Sequence, residues 1–290
     1  MYEKLEECPV CNHTQFNNHI ICDDHSVSKE SFALVKCMKC QLVFTNPRPK
    51  PEHLHKYYES NQYISHTDRA NSLINLVYKI VRKYTLRKKL QLVAKYARDN
   101  KSLLDYGCGT GDFLRTCRDN NWQAYGYEPD TKARDIAMQK NDQAVVGSLS
   151  DLKPGVQIIT CWHVLEHVSD LKNTVKTLKN KLNDGGYLIL ALPNHQSYDA
   201  NYYQEFWAAY DVPRHLYHFD QHAIKSFASK HKLKLIDTVP MKFDSYYVSI
   251  LSEKYKNKKG ILNAFKIGYL SNQKAKKTNQ YSSLIYILRK

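Results

Sequence analysis

The stretch LLDYGCGTGDF, residues 103–113, decides how the rest of the chain is interpreted. A short apolar run ends at Gly107, and Gly109 and Gly111 follow before a predicted helix. Glycine is needed where the backbone turns sharply and approaches a ligand closely, and the free amides of a helix N-terminus attract polar groups. The loop therefore predicts a nucleotide-like ligand. The dinucleotide fingerprint would require glycine at position 112, where the chain has Asp112, so nicotinamide binding is disfavoured.

Strand and helix patterns alternate on both sides of this loop. Strands are predicted at 102–107, 123–129, 144–147, 156–162, 187–193, 233–240 and 282–289. Helices are predicted at 111–121, 130–141, 169–185 and 220–232, with one or two more at about 244–276. This alternation is typical of a parallel sheet with helices on both faces. The apolar run in SSLIYILR predicts that the last strand lies inside the sheet and not at its edge.

The composition excludes a disordered tail or a fibrous repeat, because 42% of the 290 residues are hydrophobic. Three prolines in NPRPKP mark a boundary near residue 50. We expect residues 1–50 to form a separate small module, 51–101 a helical linker or lid, and 102–290 the main domain. Apolar residues spaced by three or four from position 72 to 97 predict the helix of the linker.

The net charge of +15 is concentrated in two segments. Residues 51–101 hold 11 basic and 4 acidic side chains, and residues 251–290 hold 10 and 1. Segments 79–101 and 254–290 therefore predict an acidic partner, and ordinary solvated helix faces are an equal alternative. No export signal is evident in the opening MYEKLEE and no window is apolar enough to span a bilayer, so a soluble cytoplasmic protein with reduced thiols is expected.

Two cysteine pairs indicate a structural metal site. CPVC contributes Cys8 and Cys11, and CMKC contributes Cys37 and Cys40, a spacing close to that of four-thiolate zinc sites. A segment with so few large apolar residues needs such a cross-link to fold. Buried cysteines without a metal are the alternative, and Cys22 or an intervening histidine is an alternative ligand.

Residues 102–194 resemble the class I S-adenosylmethionine-dependent methyltransferases, through LLDYGCGTGDF, the acid in YGYEPD, the WHVLEHV segment and GGYLILALPN. The resemblance implies an α/β fold, a doubly wound Rossmann-like seven-stranded methyltransferase sheet, here with a small N-terminal zinc-binding module. It also implies S-adenosylmethionine as cofactor. A cysteine ribbon ahead of such a core resembles enzymes of saccharide and secondary-metabolite pathways.

The resemblance assigns cofactor-binding roles to individual residues. Glu128, at the tip of the second strand, would hold the ribose hydroxyls, and Asp105 would order the loop or meet the amino group. The acid often found after the third strand is replaced by Ser148 and Leu149, so adenine recognition falls to backbone amides, the Ser148 hydroxyl or Asp151. The loop that contacts the methionine part comprises Gly107, Cys108, Gly109 and Gly111.

Methyl transfer is an in-line displacement that needs alignment and, for many acceptors, a base. The long insertion after the fifth strand contains PRHLYHFD, which resembles a segment that closes over the acceptor in small-molecule methyltransferases. His215 is the preferred base, with His163, His167 and Tyr198 as alternates. His163, just after the fourth strand, is also expected near the cofactor. A metal held by His163 and His167 is disfavoured, because the sequence shows no third ligand.

Three functions are compatible with these features. The first is methyl transfer to a small-molecule or saccharide-linked acceptor, for which the aromatic insertion would stack on apolar faces of the substrate. The second is an RNA methyltransferase that docks through the basic segments and the zinc module, although residues 1–50 carry equal numbers of acids and bases. The third is a non-catalytic scaffold, which the intact glycine loop and Glu128 disfavour.

Overall fold

The structure is a computed structural model that describes residues 1–58, 73–97, 99–142, 144–152, 155–256 and 260–290. Residues 59–72, 98 and 257–259 lie outside the described residues. They include parts of the helical linker or lid predicted at 51–101 and of the basic segments predicted at 79–101 and 254–290.

Strands and helices are numbered in chain order. The strands are β1 Tyr2–Glu3, β2 Phe16–Asp23, β3 Ser31–Cys37, β4 Val43–Thr45, β5 Arg48–Pro49, β6 Ser102–Tyr106, β7 Gln123–Tyr127, β8 Val145–Val146, β9 Val156–Trp162, β10 Leu182–Pro193, β11 Tyr217–His218, β12 Lys234–Pro240 and β13 Ser283–Arg289. The helices are α1 Leu73–Ala97, α2 Asp112–Arg118, α3 Thr131–Lys140, α4 Leu171–Lys181, α5 Tyr198–Tyr203, α6 Gln221–Lys230, α7 Asp244–Tyr255 and α8 Ile261–Thr278.

The predicted seven-stranded sheet is confirmed, in the order β12-β13-β10-β9-β6-β7-β8. At its centre β6 pairs in parallel with both β7 and β9, so that Leu104 lies opposite Tyr125 on one side and Ile159 on the other. All five residues of β6 are buried. Near-continuous apolar runs form such strands because helices cover both faces of the sheet.

The last strand lies inside the sheet, as predicted. β13 is placed between β10 and β12, and its residues from Ser283 to Leu288 are all buried. An edge strand would expose a row of unpaired backbone groups, whereas this strand has a neighbour on each side.

The predicted boundary between the fourth helix and the fifth strand is wrong by several residues. α4 ends at Lys181, not at Gly185, and β10 begins at Leu182. Carbonyl groups at the end of the helix bind groups outside it: Gly155 N donates to Lys181 O at 3.0 Å, and Lys290 Nζ donates to Leu182 O at 2.7 Å. These bonds replace the C-terminal helical turn that glycine was expected to close.

The N-terminal strands form a second sheet in the order β11-β4-β3-β2. Phe44 of β4 lies opposite Tyr217 of β11, so the cysteine-rich segment pairs with the aromatic insertion. The chain divides into two compact units: a first unit of residues 1–64, 165–172 and 191–286, and a second unit of residues 65–164, 173–190 and 287–290. The division into separate domains at 1–50, 51–101 and 102–290 stays a prediction.

Two helices, α7 and α8, occupy the region predicted as helical at about 244–276. Among the described residues, none of the helices is long and apolar enough to cross a membrane.

Candidate active site

The glycine loop connects β6 to α2 in the second unit. Gly107 has φ +74° and Gly109 has φ +54°, in the left-handed region that favours glycine. A Cβ on Gly107 would lie 2.6 Å from Val164 Cγ2, whereas a Cβ on Gly109 would meet no atom within 4 Å. The two glycines therefore have different roles: Gly107 packs tightly against the protein, and Gly109 turns an open face outward. Gly111 behaves like Gly107, since a Cβ there would lie 2.5 Å from Asn141 Nδ2.

Glu128 follows β7 and accepts hydrogen bonds from two backbone amides. Its Oε2 accepts from Gly109 N at 2.8 Å and its Oε1 from Asp130 N at 3.0 Å. The side chain is buried, and burial raises the pKa of the carboxyl group although the two amides oppose the shift. The sequence pattern gave the position of this acid but not its contact with the loop. Glu128 both braces the glycine loop and keeps further lone pairs for a ligand.

Asp105, the last acid of β6, is fully buried beneath this loop. Thr160 Oγ1 donates to its Oδ1 at 2.7 Å. Burial raises the pKa of Asp105 to about 6, with the Thr160 hydrogen bond opposing the shift. Of the two predicted roles, this environment favours ordering the loop over direct contact with a ligand.

Cys108, also predicted to contact the cofactor, has its sulfur close to the neighbouring strand. A Cβ on Gly126 of β7 would lie 2.7 Å from Cys108 Sγ, so the thiol packs against the neighbouring strand. The Cys108 side chain is half-buried.

The predicted adenine-binding residues lie after β8. Ser148 Oγ caps a short 3₁₀ helix, Leu149–Asp151, and lies 2.8 Å from Ser150 Oγ. Ser148 and Asp151 are exposed and Leu149 is half-buried, so this segment offers hydroxyl, carboxylate and apolar groups at the surface of the second unit. His163 follows β9 in a left-handed conformation, φ +57°.

These features fit S-adenosylmethionine in the second unit. The space beside Gly109 is what a close-lying ligand requires, because any side chain there would fill it. The Glu128 carboxylate at the same loop is a suitable acceptor for ribose hydroxyl groups.

Two of the predicted base candidates lie side by side in the first unit. The ring centroids of His167 and His215 are 4.5 Å apart, with the planes nearly perpendicular. His215 Nδ1 is 2.9 Å from Ala209 O, and His167 Nδ1 is 3.1 Å from Arg214 O. The Ala209 carbonyl oxygen only accepts, so His215 Nδ1 carries the proton and its Nε2 keeps a lone pair. His167 Nδ1 also lies 3.1 Å from the Tyr58 hydroxyl group, which can donate to it.

Charged groups around this pair distinguish the two histidines. Asp211 Oδ2 lies 4.0 Å from His215 Nε2, close enough to stabilise a protonated ring. Burial, with a smaller contribution from His215, lowers the pKa of His167 to about 4. His167 is therefore neutral at physiological pH and a poor acceptor of protons. His215 is the better placed base of the two.

Glu166 completes a cluster that sequence reasoning missed. One ligand-type atom from each of Glu166, His167 and His215 lies within 4.8 Å of the others. His163 and His167 do not share a helical face, since the 3₁₀ helix begins only at Leu165. Residues 166 and 215 are 49 positions apart in sequence, so no local spacing could have revealed the third group.

Arg214 fixes the backbone just before His215. This guanidinium is 1% exposed and donates to Asp24 Oδ1 at 2.9 Å and to Asp211 Oδ1 at 2.7 Å. It also donates to Tyr57 O at 2.9 Å. A buried arginine with this many partners holds its neighbours rigidly.

Tyr198, the remaining base candidate, is packed elsewhere in the first unit. The Lys274 Nζ atom lies 4.0 Å from the centroid of its ring, and Tyr202 is its recorded aromatic neighbour. The described contacts thus bring His167 and His215 together but do not include Tyr198.

The aromatic insertion is mainly core, contrary to the substrate-stacking role expected for it. Its large side chains belong to a buried cluster with residues of β2 and β3. Exposure is at most 5% for Tyr203, Trp207, Tyr210, Tyr217 and Phe219. Aromatic periodicity alone does not distinguish rings that cover a substrate from rings that fill a core.

The four predicted zinc ligands converge in the first unit. Cys8 Sγ lies 3.4 Å from Cys40 Sγ, and Cys11 Sγ lies 3.5 Å from Cys37 Sγ. All four sulfur atoms lie within 4.8 Å of one another. Two C-x-x-C turns that aim four thiols at one point fit a tetrahedral ion.

Known proteins resemble this chain in family and in fold. The family model described as a methyltransferase domain matches residues 78–238. No curated protein matches the sequence. Among solved structures, magnesium protoporphyrin IX methyltransferase from Synechocystis PCC 6803, with bound SAH, is 13% identical and has a TM-score of 0.54, covering 83% of this chain and 100% of its own. A methyltransferase from Archaeoglobus fulgidus is 16% identical with a TM-score of 0.45, covering 76% and 100%.

The sheet order, the glycine loop and the acid that braces it define an S-adenosylmethionine-dependent methyltransferase. The match covers more than half of the chain, which therefore belongs to the family of that methyltransferase domain.

Proposed function

We propose that this enzyme transfers a methyl group to a small-molecule or saccharide-linked acceptor, with His215 as general base and a structural zinc ion at the four cysteines. The observation that carries the proposal is the tautomer of His215, in which Nδ1–H is fixed by the Ala209 carbonyl and Nε2 is left to accept a proton.

S-adenosylmethionine supplies an electrophilic methyl group when bound. Glu128 accepts hydrogen bonds from hydroxyl groups of the ligand while its bond to Gly109 N holds the loop in place. Gly107 packs against Val164 and limits the movement of the same loop. Ser148, Leu149 or Asp151 would contact the adenine, and His163 would lie near the cofactor. A rigid loop contributes to catalysis because methyl transfer depends on alignment.

His215 removes the proton of an acceptor hydroxyl, amine or acidic carbon. The proton moves to Nε2, and the Asp211 carboxylate stabilises the imidazolium that forms. His167 limits the rotation of the neighbouring ring, and its low pKa keeps it from acquiring a charge that would repel that imidazolium. Tyr198 and His163 stay alternates in this scheme.

Burial of the base supports a small acceptor. His215 is 9% exposed, so a small molecule or a flexible saccharide reaches its ring more easily than a bulky acceptor does. An RNA acceptor would have to extrude a base to reach the same atom. The alternative, an RNA substrate docked on the basic segments and the zinc module, is favoured by the charge of +15 and by the cysteine pairs.

The zinc proposal rests on the convergence of four thiols. A hydrogen bond with Cys40 lowers the pKa of Cys8 to about 5, against the effect of burial. An ion bound by Cys8, Cys11, Cys37 and Cys40 would join the loop before β2 to the turn after β3.

The first test incubates the purified protein with methyl-labelled S-adenosylmethionine and a cell extract separated into RNA, lipid and small-molecule fractions. We expect label in small molecules or lipid-linked saccharides, and nuclease-sensitive label would refute this acceptor class. With the labelled fraction as substrate, His215→Gln should lower kcat by at least about 100-fold, as expected for loss of a general base, while cofactor affinity is retained. The matched control is His222→Gln, an exposed histidine on α6. An unchanged rate for His215→Gln would remove His215 from catalysis.

A further inference from the structure

Helix α8 presents an apolar surface to solvent. Leu262 is 84% exposed, Phe265 50% and Tyr269 54%. These three residues, with Lys266, Lys276 and Lys277, lie on about one third of the helix circumference at 3.6 residues per turn and are called the α8 surface. The opposite side of the helix packs inward through Ala264, Ile267, Ser271 and Ala275.

The α8 surface carries a positive charge. Helix α8 contains no acidic residue. The one acid of segment 251–290, Glu253, is 3% exposed. Among the described residues, no ion pair is recorded for Lys266, Lys276 or Lys277. On α1, by contrast, Arg82 forms an ion pair with Asp112.

The α8 surface offers two kinds of contact. The first turns carry the leucine, the two aromatic side chains and Lys266, and the last turn carries Lys276 and Lys277. Leucine and aromatic residues partition into the boundary between headgroups and acyl chains, and lysine reaches the phosphate groups above it. Each lysine near an anionic leaflet adds to the attraction.

We propose that the α8 surface docks on an anionic lipid bilayer, with the helix lying in the plane of the interface. Nucleic acid phosphates would attract the same lysines, but they would gain nothing from burying a leucine that is 84% exposed. The lysines also oppose close contact with a second copy of this positive surface. The proposal does not depend on the acceptor or on the base of the methyl transfer.

The test is flotation of the full chain with vesicles of phosphatidylcholine alone or with one quarter phosphatidylglycerol. We expect binding to the anionic vesicles and little to the neutral ones, with binding reduced at high salt. Lys276→Gln with Lys277→Gln should weaken binding about 25-fold, at about fivefold for each lysine. Leu262→Ser with Phe265→Ser should weaken it at least about tenfold.

Matched controls change similar residues elsewhere on the surface. Lys172→Gln with Lys176→Gln alters two exposed lysines of α4, and Ile136→Ser alters an apolar residue of α3 that is 43% exposed. Both controls should bind vesicles like the unaltered chain. Equal losses in the controls and in the α8 variants would overturn the proposal, as would failure of the unaltered chain to float.

Two further outcomes would also overturn it. One is a dimer in solution that Leu262→Ser with Phe265→Ser converts to monomer without vesicle binding by either form, which would assign the surface to a second copy. The other is tight binding of RNA through the same lysines without binding of vesicles.

Discussion

Substitution of Gly107 and Gly109 by alanine separates the packing role of the glycine loop from its ligand-binding role. Both residues have positive φ, so alanine at either position costs roughly 1–2 kcal/mol of backbone strain. At Gly109 the new methyl group meets no protein atom within 4 Å. At Gly107 it overlaps Val164, with contacts of 2.6 and 2.7 Å, and overpacking of this kind adds about 1–3 kcal/mol.

Gly109→Ala should therefore affect mainly cofactor binding, and Gly107→Ala should affect mainly the stability of the fold. Gly109→Ala should lower Tm by a few degrees and weaken S-adenosylmethionine binding by at least about tenfold, because the methyl group occupies the open face of the loop. Gly107→Ala should lose about 2–5 kcal/mol of stability in total. Adding Val164→Ala should restore most of the steric part, since it removes the two Cγ atoms that the new methyl group meets.

The assays are thermal unfolding without ligand and calorimetric titration with S-adenosylmethionine. Unchanged affinity in Gly109→Ala would show that its open face is not the ligand face. Equal stability of Gly107→Ala and Gly109→Ala, or no recovery on adding Val164→Ala, would refute the packing argument.

Two more predictions concern the cysteines and the buried acid. Cys8→Ser should reduce the metal content from about one zinc per chain and lower Tm, whereas the control Cys22→Ala should keep its zinc. Elemental analysis that finds no zinc in the unaltered protein would contradict the site. Burial raises the pKa of Asp105 from 3.8 to about 6, so the folded protein keeps a proton that the unfolded chain loses, and stability contributed by this group falls as pH rises from about 4 to about 6. The decline amounts to about 3 kcal/mol. Asp105→Asn keeps an acceptor for Thr160 and should lack this decline. If urea unfolding shows the same pH dependence of stability for the two proteins across that range, the assignment is disproved.

The sheet was predictable because its strands are apolar runs, which can be recognised without knowledge of contacts to residues far away in the sequence. A strand buried on both faces is predicted by the run LLDYG and by the run VQIITCW, and glycine marks the turn after the first of them. The last strand could be placed inside the sheet for the same reason.

The contacts of the candidate site were not predictable in this way. The bond from Gly109 N to Glu128 and the approach of Glu166 to His215 join segments that only the folded chain brings together. The burial of Trp207 was also missed, because the sequence of the aromatic insertion does not indicate whether a tryptophan packs in a core or contacts a substrate.

The ion pair between Arg214 and Asp24 joins positions 190 residues apart, next to the proposed base. A shortened chain that starts after residue 50 would leave a guanidinium buried without one of its two carboxylates, and β11 would lose the strand it pairs with. We therefore expect removal of the cysteine-rich segment to disturb the peptide that carries His215. Loss of the proposed zinc ion would destabilise the segment that carries Asp24, so we expect conditions that remove zinc to lower turnover before the sheet itself unfolds.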